Sequence, residues 1–182
     1  MIDQNHGEAS LQEEKGKELY TAGKFQQAST VFFQAAELYL NQEQEQLAAE
    51  MRNNQCVALL QAKQPREALA AVQGTALIFK EAGNKLKQAM AFSNEATALK
   101  DLGQNSEAID KFTLAADLFT QLNETVMHLE VMQSISALKL KSRNLIGALF
   151  SMQDGLEQIE KPTLRQKLLI NLLKIPQNLM EK

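Results

Sequence analysis

The sequence predicts an all-α protein built from a repeated pair of helices, and three observations support this prediction. Ala, Leu, Gln, Glu and Lys are abundant in the 182 residues, and these residue types favour helix. Only 3 prolines and 8 glycines interrupt them, and no run alternates in the period-2 manner of a strand. The third observation is that side-chain size recurs at a constant step of about 40 residues, which is typical of a helical repeat.

Small and large apolar residues form columns at this step. The small columns are Ala28, Ala68, Ala108 and Ala148; Ala35, Thr75, Ala115 and Gly155; and Gly16, Cys56, Ala96 and Ser136. The large columns are Phe32, Val72, Phe112 and Met152; and Tyr39, Phe79, Phe119 and Ile159. A helix hairpin cannot bury its apolar stripe alone, so the columns indicate hairpins that stack on one another.

Turn-forming residues recur as well and divide each repeat into two helices. Gly23 and Gly103 lie two periods apart, and Gly83 and Asn123 lie one period apart. Both residue types accept the left-handed conformation at a helix C-terminus. Pro65 suits the first turn of its helix, where the missing N–H costs nothing. The predicted helices are 10–22, 25–40, 46–62, 65–82, 85–102, 105–122, 125–142 and 145–160.

The two ends differ from the repeats. Residues 1–9 are polar and are predicted to be a disordered tail. Repeats are expected at about 10–44, 45–84, 85–124 and 125–162. Thr163 can cap a ninth helix over 163–175 that ends before Pro176, and 176–182 is then a tail.

The ninth helix has a wide apolar arc that leaves three interpretations open. It can cap the exposed end of the fourth hairpin. Its spare face can instead contact a second copy or a partner, through Leu168, Leu169, Leu172 and Leu173. The third interpretation is a helix that lies on a membrane surface, although its polar face is short.

Composition argues against several classes of function. The net charge of -3 is scattered, with no basic stripe for nucleic acid. The single Cys56 fits a reducing compartment, and no signal peptide or membrane-spanning run is present, so a cytoplasmic location is expected.

His6 and His128 stand alone, and no phosphate loop or metal-ligand spacing occurs. No metal, cofactor or catalytic residue is therefore predicted. Cys56 is interpreted as a packing thiol, with a reactive thiol as the alternative.

The repeat resembles the tetratricopeptide repeat family. The resemblance rests in the first unit on Gly16, Leu19, Gly23, Phe25, Ala28, Phe32 and Ala35, and in the third on Ala96, Leu99, Gly103, Ala108, Phe112 and Ala115. Units of this family usually run to about 34 residues, so a unit of about 40 residues is similar to the longer branch typified by kinesin light chain, LGN-type adaptors and soluble NSF attachment proteins. The resemblance implies a right-handed α-solenoid of four antiparallel helix hairpins with a C-terminal capping helix.

The same resemblance implies a concave groove lined by the first helix of each hairpin. Its predicted lining is Lys17, Tyr20, Asn53, Asn54, Val57, Gln61, Met90, Asn94, Thr97, Lys100, Gln133 and Lys141. Asn54 and Asn94 lie one period apart and could grip a peptide backbone with their amides; the alternative is that both are solvated or cap local structure. Glu13 and Met90 stand where a clamp for a terminal carboxylate needs Lys, so no such clamp is expected.

The expected function is that of a non-catalytic adaptor or scaffold. It would bind a peptide or helix of a partner protein in the groove, without nucleic acid and without insertion into a membrane. The alternative is a structural assembly factor or oligomerising spacer. That role would use the convex face or the C-terminal helix, and it includes a homodimer through that helix. An enzyme would need catalytic residues that the sequence does not show.

Overall fold

The computed structural model describes the backbone of residues 2–180 and the side chains of residues 7–173. Within that range the chain is helical and contains no strand. The helices are α1 (Ile2–Thr21), α2 (Phe25–Asn41), α3 (Glu45–Gln61), α4 (Pro65–Val72), α5 (Thr75–Glu81), α6 (Lys85–Asp101), α7 (Asn105–Gln121), α8 (Thr125–Lys141), α9 (Leu145–Glu157) and α10 (Leu164–Met180). They form two compact units, residues 1–111 and 112–182.

Turns with one left-handed residue recur at a constant spacing and set the length of the helices. The predicted Gly23, Gly83, Gly103 and Asn123 are confirmed in this conformation. In the other turns of the series the left-handed residue is Glu43, Lys63 or Arg143. In each turn the next amide donates to a carbonyl five residues back, as from Lys24 to Leu19 at 2.9 Å. This Schellman-type bond satisfies a carbonyl that the helix end leaves free. Two helices, such as α2 and α3 with 17 residues each, and two short turns therefore make up one period.

The size columns predicted from the sequence are the core of both units. The Ala28 column is at most 1% exposed throughout, and the Gly16 and Ala35 columns are buried in all four copies. The Phe32 and Tyr39 columns are buried in the first three copies and half-buried in the fourth, at Met152 and Ile159. Small and large residues thus alternate where helices approach closely, as dense packing requires.

The helix predicted over 65–82 is divided in two. Gly74 has a φ of 86° and separates α4 from α5, and the Thr75 hydroxyl donates to the Val72 carbonyl at 2.8 Å. That bond satisfies a carbonyl that the break leaves without a helical donor. Pro65 is in the first turn of α4, as predicted.

Both ends differ from the sequence prediction. Helix α1 begins at Ile2, and Ala9 is fully buried, so the predicted disordered tail over 1–9 is wrong where the structure describes it. The cap at Thr163 is confirmed: its hydroxyl accepts from the Gln166 amide, and the Gln166 side chain accepts from the Thr163 amide, which is a capping box. Helix α10 continues through Pro176 to Met180, beyond the end predicted at residue 175.

Within each unit, helices pack on their neighbours along the chain. In the first unit α1 packs on α2, α2 on α3, and α4 and α5 on both α3 and α6. In the second unit α8 packs on α9, and α10 contacts α9 and buries Leu173. The architecture is a helical repeat; the right-handed sense and the count of four hairpins stay predictions.

Candidate functional site

Four predicted groove residues line one pocket in the first unit, which we call the α1–α3 pocket. Its volume is about 250 Å³, and it is lined by Lys17, Tyr20, Thr21, Phe32, Asn54 and Val57. Helix α1 supplies the first three, α2 the buried Phe32 ring, and α3 the last two. The ring of Tyr20 packs edge-on against Phe25, with centroids 5.3 Å apart, which fixes one wall of the pocket.

The charge of Lys17 is paired within its own helix. Its Nζ lies 2.8 Å from Glu13 Oε1 and 2.9 Å from Glu14 Oε1, and hydrogen bonds to these two carboxylates raise the Lys17 pKa. Burial raises the pKa of Glu13, but hydrogen bonds from Lys17 and from the Tyr39 hydroxyl lower it below its usual 4.5. Burial and the bond to Glu13 raise the pKa of Tyr39 to about 12. Lys17 therefore stays protonated, and the two glutamate carboxylates of α1 balance its positive charge where a ligand would meet it.

Of the two asparagines predicted to grip a peptide, Asn94 makes a side-chain hydrogen bond within the chain. Asn94 Nδ2 donates to Asn53 Oδ1 at 3.1 Å, and Asn53 Nδ2 donates to the Ala49 carbonyl at 3.0 Å. Asn53 is only 8% exposed. The amide contact between α3 and α6 therefore joins Asn94 to Asn53, and Asn54 is left in the wall of the α1–α3 pocket.

The other predicted groove residues lie outside this pocket. Thr97 is half-buried and donates to the Ser93 carbonyl at 2.8 Å. Met90 is 44% exposed, Lys100 is half-buried and Gln61 is exposed. Gln133 and Lys141 are exposed on α8 in the second unit. Four of the predicted residues thus share one pocket between α1 and α3, and binding along the first helices stays a prediction.

Cys56, the remaining candidate residue, lies in the core. Cys56 is fully buried, and burial, with a smaller contribution from Glu95, raises its pKa to about 12. This agrees with the packing interpretation. Among the residues that the structure describes, no group of three His, Cys, Asp or Glu side chains could hold a metal ion.

Sequence reasoning missed a second pocket, in the second unit, which we call the α8 pocket. Its volume is about 590 Å³, and it is lined by Thr113, Ala116, Asp117, Thr120, Gln121, His128, Met132, Ile135, Lys139, Ser151, Asp154 and Gln158. His128 is only 2% exposed, although the sequence placed it alone on a helix. The corresponding positions one and two repeats earlier are Gln88 and Ala48, so the periodicity gives no signal for it.

Polar contacts hold the His128 ring in this pocket. Gln158 Nε2 lies 3.4 Å from His128 Nε2 and 3.2 Å from Thr120 Oγ1, and Asp154 Oδ2 lies 3.9 Å from the same ring nitrogen. Burial lowers the His128 pKa, and the carboxylates of Asp154 and Asp117 oppose that effect only in part. The ring is therefore neutral near pH 7, where an ordinary histidine is also largely neutral.

Helix α10 exposes most of the apolar arc predicted for it. Leu168 is 67% exposed, Leu172 is 54% exposed and Leu169 is 38% exposed, whereas Leu173 is buried. Helix α9 adds further exposed apolar side chains, which are Leu145, Ile146, Leu149 and Phe150. The burial of Leu173 agrees with the capping interpretation. The side chains of Leu168, Leu169 and Leu172 are exposed to a possible partner.

These features define a class of protein: a helical repeat with pockets between its helices. The chain belongs to the soluble NSF attachment protein family, whose model matches residues 7–169. This confirms the resemblance to the long tetratricopeptide-like repeats, and it indicates a protein-interaction adaptor in a family that is in general non-enzymatic. A comparison with curated proteins gave no match. No helix in the described part of the chain is long and apolar enough to cross a membrane.

Proposed function

We propose that this protein is a non-catalytic adaptor that binds a peptide or helix of a partner protein on the first helices of its hairpins. The α1–α3 pocket is the anchoring point of this site. The observation that supports the proposal is that side chains from three helices converge on one small pocket with an apolar floor. Family membership supports an adaptor in general and leaves the partner and the site to this proposal.

The lining of the pocket suggests how a peptide would be held. Phe32, Val57 and the ring of Tyr20 offer apolar surface for one anchor side chain of the ligand. The Asn54 amide can donate to a peptide carbonyl and accept from a peptide N–H. Because Glu13 and Glu14 already neutralise Lys17, its methylene stem can cover the anchor without favouring an acidic ligand.

We expect the double variant Asn54→Ala, Val57→Lys to bind its partner at least about 10-fold more weakly, since it removes a hydrogen-bonding group and an apolar contact. The partner is first captured by a photo-crosslinking residue placed at Tyr20, and its purified form is then titrated by calorimetry. The matched control carries the crosslinker at Phe33, which is 47% exposed on α2. Equal capture from both positions, or unchanged affinity in the double variant, contradicts the proposal.

A second candidate function is an oligomerising spacer that uses α10. The supporting observation is the exposure of Leu164, Leu168 and Leu172, which lie four residues apart on one face of the helix. An exposed apolar row of this kind is typical of a contact with another helix. A second copy of the chain can supply that helix.

For this candidate we expect a wild-type mass near twice the 20.3 kDa of the chain and a monomer after Leu168→Asp, Leu172→Asp. Burying the introduced carboxylates in a helix contact is unfavourable. Light scattering after gel filtration measures the mass. Asn171→Asp is the control, because it adds charge to an exposed position of the same helix without removing apolar surface. A wild-type monomer at high concentration rejects this candidate.

A further inference from the structure

The α8 pocket combines a negatively charged rim with an apolar floor. Asp117 on α7 and Asp154 on α9 line it from two helices, and Lys139 on α8 is its only ammonium group among the described lining residues. Lys139 Nζ donates to Ser151 Oγ at 2.9 Å, so this ammonium already has a partner. His128 adds no charge near pH 7, which leaves two carboxylates against one ammonium. Met132 and Ile135 form the buried floor.

The repeat itself shows what can occupy this place. Two periods earlier, Glu37 corresponds to Asp117 and Arg52 corresponds to Met132. In the first unit, Arg52 Nη2 lies 3.5 Å from Glu37 Oε1, so a guanidinium of the chain's own α3 approaches that carboxylate. In the second unit methionine replaces this arginine, and Asp117 forms no salt bridge with any described residue. The second unit therefore has a carboxylate at position 117 without an arginine at position 132, whereas the intervening repeat has Leu77 and Phe92 at these two places.

We propose that the α8 pocket binds the guanidinium group of an arginine side chain from a partner protein. Asp117 and Asp154 accept its hydrogen bonds, and its methylene stem packs on Met132 and Ile135. Charge-assisted bonds between guanidinium and carboxylate are strong and directional, and the long stem of arginine suits an apolar floor below a charged rim.

The same groups disfavour other ligands. An anion would approach two carboxylates, and Lys139 is the one cation among the described lining residues. A metal ion is also disfavoured, because no group of three His, Cys, Asp or Glu side chains in the described part of the chain is placed to hold one. The α8 pocket also lies in a different unit from the α1–α3 pocket, so the inference goes beyond the proposed groove and does not depend on it.

His128 provides a site-specific reporter for a test by nuclear magnetic resonance. The chain has two histidines, so the variant His6→Gln leaves the ring of His128 as the one imidazole signal. The probe is Nα-acetyl-arginine N-methylamide, and the matched ligand control is the citrulline analogue, which has the same shape without the charge. We expect saturable shifts of the His128 ring with the arginine probe in the millimolar range. We also expect a lower His128 pKa in its presence, since a second cation disfavours protonation.

Variants of the two carboxylates test the mechanism. We expect Asp117→Asn, Asp154→Asn to weaken binding of the arginine probe at least about 10-fold. Glu130→Gln, which removes an exposed carboxylate from α8 outside the pocket, should leave it unchanged. Met132→Arg should abolish binding by supplying the guanidinium that Arg52 supplies in the first unit. Circular dichroism melting of each variant establishes that the fold is retained.

Three results would overturn the inference. One is equal binding of the citrulline analogue, which would show that charge is not recognised. Another is unchanged binding by a folded Asp117→Asn, Asp154→Asn variant. The third is tighter binding of free spermidine than of the arginine probe, which would assign the pocket to a polyamine. The groove variant Asn54→Ala, Val57→Lys should bind the probe normally, so failure here and failure of the proposed function are distinguishable.

Discussion

We expect Phe79→Ala to lower the free energy of unfolding by about 3–5 kcal/mol, the range for truncating a buried aromatic ring. Phe79 is 1% exposed and packs in a cluster with Ala49, Ala76 and Ala91. Helix α5 has only seven residues, and Gly74 separates it from α4, so it depends on this ring for its attachment to α3 and α6. A helix that short is not stable by itself in water.

Urea denaturation followed by circular dichroism measures this loss. Phe33→Ala is the matched control, since the same ring is removed from a position of α2 that is 47% exposed. We expect the control to lose well under half as much, because less of its surface leaves water on folding. Similar losses for the two variants would contradict the assignment of Phe79 to the core.

The fold could be predicted because side-chain size recurs at the same positions in each repeat. Ala28, Phe32 and their counterparts occupy equivalent places in each hairpin, so one packing solution is repeated along the chain. Turns were harder to predict where the residue type is unfavourable. Glu43, Lys63 and Arg143 adopt a left-handed conformation that costs energy for a residue with a Cβ. The capping hydrogen bonds and the burial of flanking columns outweigh that cost.

The candidate site could be predicted only in part, because it depends on rotation about a helix. Asn53 and Asn54 are adjacent in sequence but differ by about 100° around the helix axis. Asn54 and Asn94 occupy equivalent places one period apart, and the side chain that bonds to Asn94 across α3 and α6 is that of Asn53. Spacing along the sequence does not show which side chains meet between neighbouring repeats. Lys17, Tyr20, Asn54 and Val57 were predicted to line the groove, and all four lie around the α1–α3 pocket; their role in binding stays a prediction.

The α8 pocket was beyond sequence reasoning for a related reason. Its polar groups come from three helices, and two of them do not repeat in their columns: His128 follows Ala48 and Gln88, and Asp154 follows Gly74 and Leu114. A repeat pattern reveals what the hairpins share. Features specific to one hairpin appear as departures from the pattern, and only the structure shows that several departures face the same space.

We expect Gly16→Ala to lower the free energy of unfolding by about 1–3 kcal/mol, the usual cost of overpacking a core. A Cβ at position 16 would lie 2.6 Å from Phe32 Cε1 and 2.7 Å from Phe32 Cδ1. The ring cannot turn aside easily, because it is 3% exposed and packs in a cluster with Ala35 and Ala36. The absence of a Cβ at Gly16 therefore leaves the space that the Phe32 ring occupies between α1 and α2.

Two comparisons make the result specific to this contact. Gly7→Ala, in the same helix, should be neutral or stabilise by up to about 1 kcal/mol, since no atom lies within 4 Å of its new Cβ. Gly16→Ala combined with Phe32→Leu should lose less than the sum of the two single variants, because a smaller side chain leaves room for the methyl group. Additive losses would show that Gly16 and Phe32 do not act through one contact. Since Phe32 also floors the α1–α3 pocket, a ring displaced by Gly16→Ala should weaken partner binding as well.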